Sequence, residues 1–298
     1  MRVHVLVASA GRPEACGALA RRLQNQTLAP ARIVFSVAER KDAPSDPYLD
    51  ELPVRPEIVL GPRGASAQRN TALDEALAGS DVVVFFDDDY VPSRSALEVV
   101  CRLLFAYPHV GGVTGRVLRD GIGTAGISLE EAARIVDGWD ETHVDRLPEI
   151  AVARWGLDGL YGCNMAFRSS VIGETRFDER LPLYSWQEDI DFSARVAGEM
   201  VRCDAMVGVH CGLKRGRERR GDRLGYSQVA NPFYLWRKGT MRGRFALRLA
   251  SRNVAANHLR MFRPEPWIDR RGRVRGNWSA LLDGVLGRMR PERILEKE

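Results

Sequence analysis

Val82-Val83-Val84-Phe85-Phe86-Asp87-Asp88-Asp89 is the segment from which the architecture of this chain can be inferred. Five consecutive β-branched and aromatic residues predict a strand that is buried on both faces. The three carboxylates that follow repel one another, and a hard divalent cation is the simplest group to offset that repulsion. Because ligands bind at the carboxyl ends of strands in open α/β sheets, the segment predicts a metal site. A solvated acidic turn that caps the next helix is the alternative.

Alternating strand and helix patterns surround this segment. Ser95–Glu98 matches a capping box and predicts that a helix follows the carboxylates. The alternation predicts right-handed βαβ units, and hence an α/β fold with a Rossmann-like mixed, mainly parallel sheet flanked by helices. The predicted strands and helices that precede the segment are strands at 3–9, 32–37 and 57–60, and helices at 13–26 and 65–78.

The last quarter of the chain has a different character. After Arg223, aromatic and basic residues take on helical spacing, which predicts helices at 226–236, 240–262 and 278–286. We therefore expect two parts, a nucleotide-binding and catalytic domain at 1–225 and a helical, basic extension at 226–298.

Composition and cysteine usage restrict the class of protein. The chain has 298 residues, of which 45% are apolar and 28% charged, as in globular proteins that are not disordered. Its five cysteines are odd in number and none form a Cys-x-x-Cys pair, which fits a reducing compartment. The N-terminus lacks the pattern of a signal peptide, and we expect a cytoplasmic protein.

Positive charge is concentrated after Lys214, although the net charge is a moderate +5. Nucleic acid, an anionic membrane surface or a phosphorylated small molecule could each bind such a region. Nucleic acid is disfavoured because the sequence contains no RNA-binding aromatic motif and no helix-turn-helix pattern.

A second acidic cluster lies in the segment Trp186–Phe192, where Glu188, Asp189 and Asp191 fall within four residues. Burial and mutual repulsion raise carboxylate pKa values, which is how a general base is poised. A helix N-terminus that favours acidic residues is the structural alternative. Trp186, beside the cluster, is a candidate contact for an acceptor substrate.

Three further segments could serve the same site. Ser9 to Glu14 follows the first strand and offers small residues, a cation in Arg12 and a helix start, which together suit a nucleotide. Arg69 is a second cation near the same edge. His210 ends an apolar run just before the basic region. Carboxylates, an imidazole and a basic loop together could hold a metal ion and a diphosphate.

Taken in order, these segments resemble the family 2 glycosyltransferases, which have the GT-A fold. The resemblance spans roughly residues 3–215, and the order and spacing of the blocks carry it. The matching blocks are 7–14, 63–70, 86–89, 162–168, 177–179, 188–191 and His210.

The resemblance implies a role for each matching position. It implies that Asp89 and His210 are metal ligands, and that Asp189 is the catalytic base with Glu188 as its positioning neighbour. It also implies a set of contacts to the donor nucleotide and diphosphate, namely Asp87, Asp88, Arg12, Arg69 and, on a loop that closes over the diphosphate, Arg215 and Arg217. Ser9 belongs to the same nucleotide-sugar-binding set.

One block departs from the family pattern. Family members commonly end the second strand in Asp-Asp-Gly-Ser, whereas this chain has Ser36-Val37-Ala38-Glu39. Glu39 is the candidate substitute for the carboxylate that contacts the base. The donor is expected to be a sugar carried on UDP or GDP.

The resemblance implies an inverting glycosyltransferase that depends on Mn²⁺ or Mg²⁺ and transfers a sugar to a hydroxyl of a saccharide or lipid-linked acceptor in bacterial polysaccharide or glycolipid assembly. The extension could bind an anionic inner-membrane surface, which would make the protein peripheral, or a second subunit in a homodimer. A nucleotidyltransferase is one alternative, although its glycine-rich, lysine-containing phosphate loop is missing from the N-terminal sequence. A non-catalytic glycan-binding or scaffold protein is the other.

Overall fold

A computed structural model describes residues 1–45, 49–143, 150–214 and 220–296. Within these ranges a single mixed sheet has the strand order β3-β2-β1-β4-β8-β6-β9-β5, with β7 paired to β9. The strands are β1 (Val3–Ser9), β2 (Arg32–Val37), β3 (Glu57–Leu60), β4 (Val82–Asp87), β5 (Tyr90–Pro92), β6 (Val110–Asp120), β7 (Val152–Arg154), β8 (Asn164–Arg168) and β9 (Glu199–His210).

The sheet changes character at β4. Strands β3, β2, β1 and β4 pair in parallel, as the βαβ pattern predicts. β8 then pairs antiparallel with both β4 and β6, and β6 pairs parallel with β9. The prediction of a mixed α/β sheet flanked by helices is confirmed, with its parallel pairing concentrated in the N-terminal half.

Helices cover both faces of this sheet and form the C-terminal part. They are α1 (Pro13–Gln24), α2 (Ala65–Ala76), α3 (Ala96–Ala106), α4 (Leu129–His143), α5 (Ser169–Ile172), α6 (Glu188–Ser193), α7 (Gly221–Lys238), α8 (Gly243–Arg260) and α9 (Arg270–Val285).

Strand β4 is buried on both faces, which accounts for its unbroken apolar sequence. Val84 and Phe86 belong to a core that includes residues of α1 and α3. Val83 and Phe85 point to the opposite core, where Phe85 contacts Phe167, Phe177 and Phe192 edge to face. Since successive residues of a strand face opposite sides, both halves of the core depend on this strand.

The capping box predicted at the start of α3 is wrong in detail. Ser95 is the N-cap residue, but its side chain makes no capping hydrogen bond. The amide of Gln26 replaces it, because its Oε1 accepts from the N–H of Leu97 at 3.1 Å and its Nε2 donates to the carbonyl of Ser93 at 2.6 Å. Glu98 instead accepts a hydrogen bond from Thr27. A residue distant in sequence therefore satisfies the helix start.

The C-terminal helices pack closely on one another. α7 crosses α9 where Gly225 and Gly276 bring the two backbones together: a Cβ on Gly225 would lie 2.1 Å from the carbonyl oxygen of Arg273. The boundary predicted at 225/226 falls inside α7, which begins at Gly221. Helix α7 therefore continues from the segment assigned to the catalytic domain into the extension.

An ion-pair network joins α7 to α6 and to Asp178, which precedes α6. The Lys238 ammonium group lies 2.5 Å from the carboxylate of Asp178 and 2.8 Å from that of Asp191, which is fully buried in α6. Arg195 and Thr240 also bond to Asp191. A buried carboxylate is stable when it is paired and hydrogen-bonded, so the extension supplies partners that α6 requires.

Among the described residues, no helix has both the length and the apolar character needed to span a bilayer.

We expect Gly225→Ala to lower the free energy of unfolding by about 1–3 kcal/mol, because the added methyl group overpacks the α7–α9 crossing. Gly138→Ala is the matched control, since a Cβ there meets no atom within 4 Å and removing a helical glycine stabilises by about 0.5–1 kcal/mol. Urea unfolding of the two variants measures both effects. Equal stability of Gly225→Ala and the wild type would contradict the close crossing.

Candidate active site

A cleft of about 610 Å³ opens at the carboxyl ends of β1 and β4. The segment 182–189 before α6, the start of α2 and part of α7 complete its walls. The sequence-predicted residues that line it are Ser9, Arg12, Arg69, Asp87, Asp88, Asp89, Trp186, Glu188, Asp189 and His210. Segments far apart in the sequence thus converge where the α/β topology places ligands.

Asp87, Asp89 and His210 form a candidate metal centre. Each offers one ligand atom, and the three atoms lie within 4.8 Å of one another. The His210 Nε2 atom is 3.5 Å from the Asp89 carboxylate and 3.9 Å from that of Asp87. Strand register explains the proximity, because β5 pairs Tyr90, the residue after Asp89, with His210.

The surroundings of His210 prepare it to bind a cation. Its Nδ1 atom lies 3.0 Å from the carboxylate of Asp120, its register partner on β6. A proton on Nδ1 directed at Asp120 leaves Nε2 free to face the metal centre. In the absence of a metal ion, burial lowers the pKa of His210, but the carboxylates of Asp120 and Asp89 outweigh it and raise that pKa to about 10. A cation that binds Nε2 would therefore displace a proton from that nitrogen. Two carboxylates and one imidazole form a donor set that fits a divalent cation.

Asp88 faces a different group of residues. Its carboxylate accepts a hydrogen bond from Ser9 at 2.5 Å and pairs with Arg12 at 2.8 Å. Burial raises the pKa of Asp88 to about 7 in spite of Arg12. Arg12 also lies 2.9 Å from Asp89, and the pKa of Asp89 falls below its usual range because His210 and Arg12 outweigh its burial. Arg12 thus holds two of the three adjacent carboxylates together.

Arg69 connects the strand end to α6. Its buried guanidinium group pairs with Asp87 at 2.9 Å and with Glu188, and it donates to the carbonyl of Gly162 at 3.0 Å. Burial opposes its charge, but Glu188 and Asp87 keep the pKa of Arg69 above the ordinary value. The guanidinium group therefore links the candidate metal centre to the second acidic cluster.

Asp189 is held at the start of α6 by backbone donors. Its Oδ2 atom accepts from the N–H of Gly162 at 3.0 Å, and its Oδ1 atom from the N–H of Ile190 at 2.9 Å. A Cβ on Gly162 would lie 3.1 Å from Oδ2, so the close approach requires a small residue. Burial raises the pKa of Asp189, and it raises that of Glu188 to about 8. A raised pKa suits a carboxylate that accepts a proton.

The backbone before α6 is strained. Leu183, Ser185 and Gln187 have φ values of 59°, 52° and 77°, a region that residues other than glycine rarely occupy. Such residues cost about 1–3 kcal/mol each and persist where their surroundings fix them. Here the first turn of α2 does so: Ala65 donates to the carbonyl of Leu183, and the N–H of Ser66 donates to the Ser185 hydroxyl. Strain of this kind concentrates at functional sites.

Trp186 lies within this strained segment and is half-buried at the wall of the cleft. Its carbonyl accepts a hydrogen bond from Asn231 of α7 at 2.8 Å. Tyr184, two residues earlier, is exposed at the same wall. The acceptor role of Trp186 stays a prediction.

One further predicted position, Glu39, is not among the residues that line the cleft. Glu39 is exposed after β2, and its carboxylate pairs with Lys41 at 2.6 Å. Arg215 and Arg217 fall at 215–219, outside the residues that the structure describes.

Two polar residues in the site were not identified from the sequence. Asp120 ends β6, and Tyr161 donates to its carboxylate at 2.7 Å. Neither belongs to an acidic cluster, so no local pattern marks them. The register between β6 and β9 places Asp120 beside His210, and that pairing is not visible in a single sequence.

The model of the family described as Glycosyltransferase like family 2 matches residues 1–195. This is more than half of the chain, and the chain therefore belongs to that family. Family membership confirms the predicted class of enzyme, a glycosyltransferase. A search of curated proteins gave no match.

Solved structures show the same fold. The mannosyltransferase PcManGT from Pyrobaculum calidifontis, in complex with GDP-Man and Mn²⁺, superposes with a TM-score of 0.54 at 16% identity and covers 100% of this chain and 88% of its own. The predicted GT-A fold is confirmed. TarS from S. aureus gives a TM-score of 0.48 at 15% identity, covering 78% of this chain and 40% of its own. The chain thus spans less than half the length of TarS.

We expect Asp120→Asn to weaken Mn²⁺ binding by about 10–100-fold, because residues that orient a metal-bound histidine contribute to that extent. Mn²⁺ titration followed by electron paramagnetic resonance measures the affinity. Asp74→Asn on α2, which alters an exposed ion pair with Arg176, is the matched control and should bind Mn²⁺ as tightly as the wild type does. An unchanged affinity in Asp120→Asn would show that this carboxylate does not support a metal site.

Proposed function

We propose that this protein transfers a sugar, with inversion, from a UDP- or GDP-linked donor to a hydroxyl of a saccharide or lipid-linked acceptor, with Mn²⁺ or Mg²⁺ as cofactor. One observation carries the proposal. Arg69 contacts Asp87 of the candidate metal centre and Glu188, the neighbour of Asp189, which supports a diphosphate site and a base within one cleft.

The metal ion would be held by Asp87, Asp89 and His210, and when bound it supplies positive charge for the departing nucleoside diphosphate. The resemblance to family 2 glycosyltransferases implies that Asp87 faces the nucleotide; its position within 4.8 Å of the other ligand atoms supports a metal contact as well.

Asp189 would accept the proton of the acceptor hydroxyl as that oxygen attacks the anomeric carbon. The hydrogen bonds from Gly162 and Ile190 fix its orientation, and its raised pKa matches the role. Glu188 is occupied by Arg69 and would act as a positioning residue. With one carboxylate available as base and none assigned as nucleophile, a single displacement and inversion are expected.

Ser9, Arg12 and Asp88 would contact the donor nucleotide, since they form one connected group at the end of β1. Glu39 is the proposed contact of the donor's nucleobase, and Arg215 and Arg217 are the proposed contacts of its diphosphate. The Pyrobaculum mannosyltransferase is in complex with GDP-Man and Mn²⁺, which supports a nucleotide sugar and a divalent cation as the ligand class.

In the cell, the reaction would belong to bacterial polysaccharide or glycolipid assembly in the cytoplasm, with the protein peripheral to the inner membrane. The helices from α7 onward would act as an extension that supports the cleft and could also mediate a homodimer. The Lys238 contacts with Asp178 and Asp191 support the first of these roles.

A panel of nucleotide sugars with and without Mn²⁺ tests the proposal. A ligand that binds the native state raises the unfolding temperature by mass action, so the cognate donor should do so when Mn²⁺ is present. Release of nucleoside diphosphate, followed by a coupled assay, then identifies turnover, and nuclear magnetic resonance of the product gives the anomeric configuration. Pyrophosphate release would instead indicate a nucleotidyltransferase, and binding without turnover a scaffold.

Asp189→Asn should lower kcat by about 10²–10⁴-fold, which is the usual contribution of a general base. Donor affinity should change little, because the amide keeps the size of the side chain. Asp204→Asn, which alters an exposed pair with Arg202, is the control and should retain activity. Stopped assays with saturating donor and acceptor measure kcat. Wild-type kcat in Asp189→Asn would remove Asp189 from the reaction.

As the pH is lowered, the rate should begin to fall at a higher pH than it would if the base were an exposed aspartate. Asp189 must be ionised to accept a proton, and burial raises its pKa. Activity is therefore present above that pKa and lost as the pH falls through it. Profiles of kcat/KM against pH, recorded where the metal remains bound, test this. A rate that stays constant down to the pH at which an exposed aspartate titrates would contradict it.

A further inference from the structure

Helix α9 presents an apolar stripe to solvent. Trp278, Leu281, Leu282, Val285 and Leu286, here called the outer face of α9, are between 40% and 86% exposed. At 100° per residue these five side chains fall within an arc of about 140°. The opposite side of the helix, including Gly276 and Ala280, is buried. An amphipathic helix normally turns its apolar side to the core, whereas α9 has a second apolar side that faces outward.

Arginines accompany this stripe. Arg271 and Arg275 lie on the same side of α9, about two turns and one turn before Trp278 respectively, and are exposed. His258, near the end of α8, contacts the Trp278 ring with 5.8 Å between centroids. The end of α8 therefore lies beside the outer face of α9. Exposed Arg248 and Arg252 follow the same helix toward its start.

Little negative charge balances these arginines. Residues 239–290 contain twelve arginines, no lysine and three acidic residues. Each acid has an intramolecular role: Glu265 pairs with Arg260 and Arg270, Asp269 caps α9, and Asp283 pairs with Arg288 and Arg293. Among the residues that the structure describes, Arg248, Arg252, Arg271 and Arg275 have no ion-pair partner.

The combination selects one class of partner. A second copy of this chain would bring a like-charged surface against the outer face, which opposes association. Nucleic acid would neutralise the positive charge of the arginines, but it has no apolar surface that would cover large exposed aliphatic side chains. An anionic bilayer satisfies both, because its phosphates attract arginines and its acyl boundary accepts Trp, Leu and Val.

We propose that the outer face of α9 docks on a bilayer that contains anionic phospholipids. The helix lies in the plane of the interface, with Leu282 and Val285 inserted at the acyl boundary and Arg271 and Arg275 at the phosphates. This docking specifies the surface through which the protein, proposed above to be peripheral to the inner membrane, would bind the bilayer; it rests on α9 and α8 and does not depend on sugar transfer.

Flotation of the full chain with vesicles tests the proposal. The protein should bind vesicles of phosphatidylglycerol and phosphatidylcholine, and bind pure phosphatidylcholine much more weakly. Leu282→Ser with Val285→Ser should weaken binding by about tenfold or more. Arg271→Gln with Arg275→Gln should weaken it by about fivefold per arginine, and high salt should do the same.

Matched controls come from α3, where Phe105 is 80% exposed and Arg102 is exposed. Phe105→Ser and Arg102→Gln remove the same kinds of group elsewhere on the surface and should leave vesicle binding unchanged. Thermal unfolding of every variant should match the wild type, since all the substituted side chains are exposed.

Trp278 supplies an independent readout. Brominated lipids should quench its fluorescence, and Trp278→Phe should lose that quenching in folded protein. Equal binding to neutral and anionic vesicles, or control variants that bind as weakly as the α9 variants, would overturn the proposal. So would a stable dimer, detected by sedimentation, that dissociates in Leu282→Ser with Val285→Ser and does not bind vesicles. Binding to single-stranded DNA that is as tight as vesicle binding and insensitive to the apolar changes would assign the surface to polyanions instead.

Discussion

The crowding of carboxylates at one edge of the sheet is the constraint on which the site depends. Asp87, Asp88 and Asp89 leave β4 together, and Glu188 and Asp189 approach them from α6. Like charges at such separations are strongly unfavourable where water is excluded. Two guanidinium groups offset part of that repulsion, the half-buried Arg12 within the triplet and the buried Arg69 between the two clusters. The negative charge that remains is the reason that a divalent cation, alone or bound to a ligand, fits here.

These guanidinium groups also give the three adjacent aspartates different surroundings. Arg12 and Ser9 draw Asp88 toward β1, whereas Asp89 turns to His210 and Asp87 to Arg69. Three residues of one type, adjacent in sequence, thus meet three different environments. The turn between β4 and β5 explains it, since Asp87 ends β4 whereas Asp88 and Asp89 lie in the turn, where the backbone changes direction from one residue to the next.

The sequence was a good guide where local patterns carry the information. The run at 82–86 predicts a strand because burial on both faces requires apolar residues. The acidic clusters predict the site because neighbouring carboxylates repel one another and such clusters are typical of functional sites. Antiparallel β8 could not be oriented from its own five residues, because strand direction is set by distant partners. Asp120 could not be identified from the sequence for the same reason, because its partner His210 lies on a strand distant in the sequence. Helix α4, by contrast, carries a local signal, because Leu129, Ala132 and Val136 follow one another three and four residues apart and pack in one core cluster. The helices predicted from the sequence do not include it.

The bond network around Lys238 has a consequence for how the C-terminal helices can be studied. Deleting them would remove the cation that pairs with Asp178 and Asp191, and Asp191 has no exposure to water. Asp191 would keep Arg195 as an ion-pair partner but would lose both Lys238 and the hydrogen bond from Thr240, so the buried carboxylate in α6, two residues after Asp189, would be held less firmly. A shortened chain could therefore lose activity through a change in α6, which carries the proposed base Asp189, even when the proposed acceptor and membrane contacts are irrelevant to the assay. Point changes on the solvent side of α8 and α9 separate these effects, whereas deletion merges them.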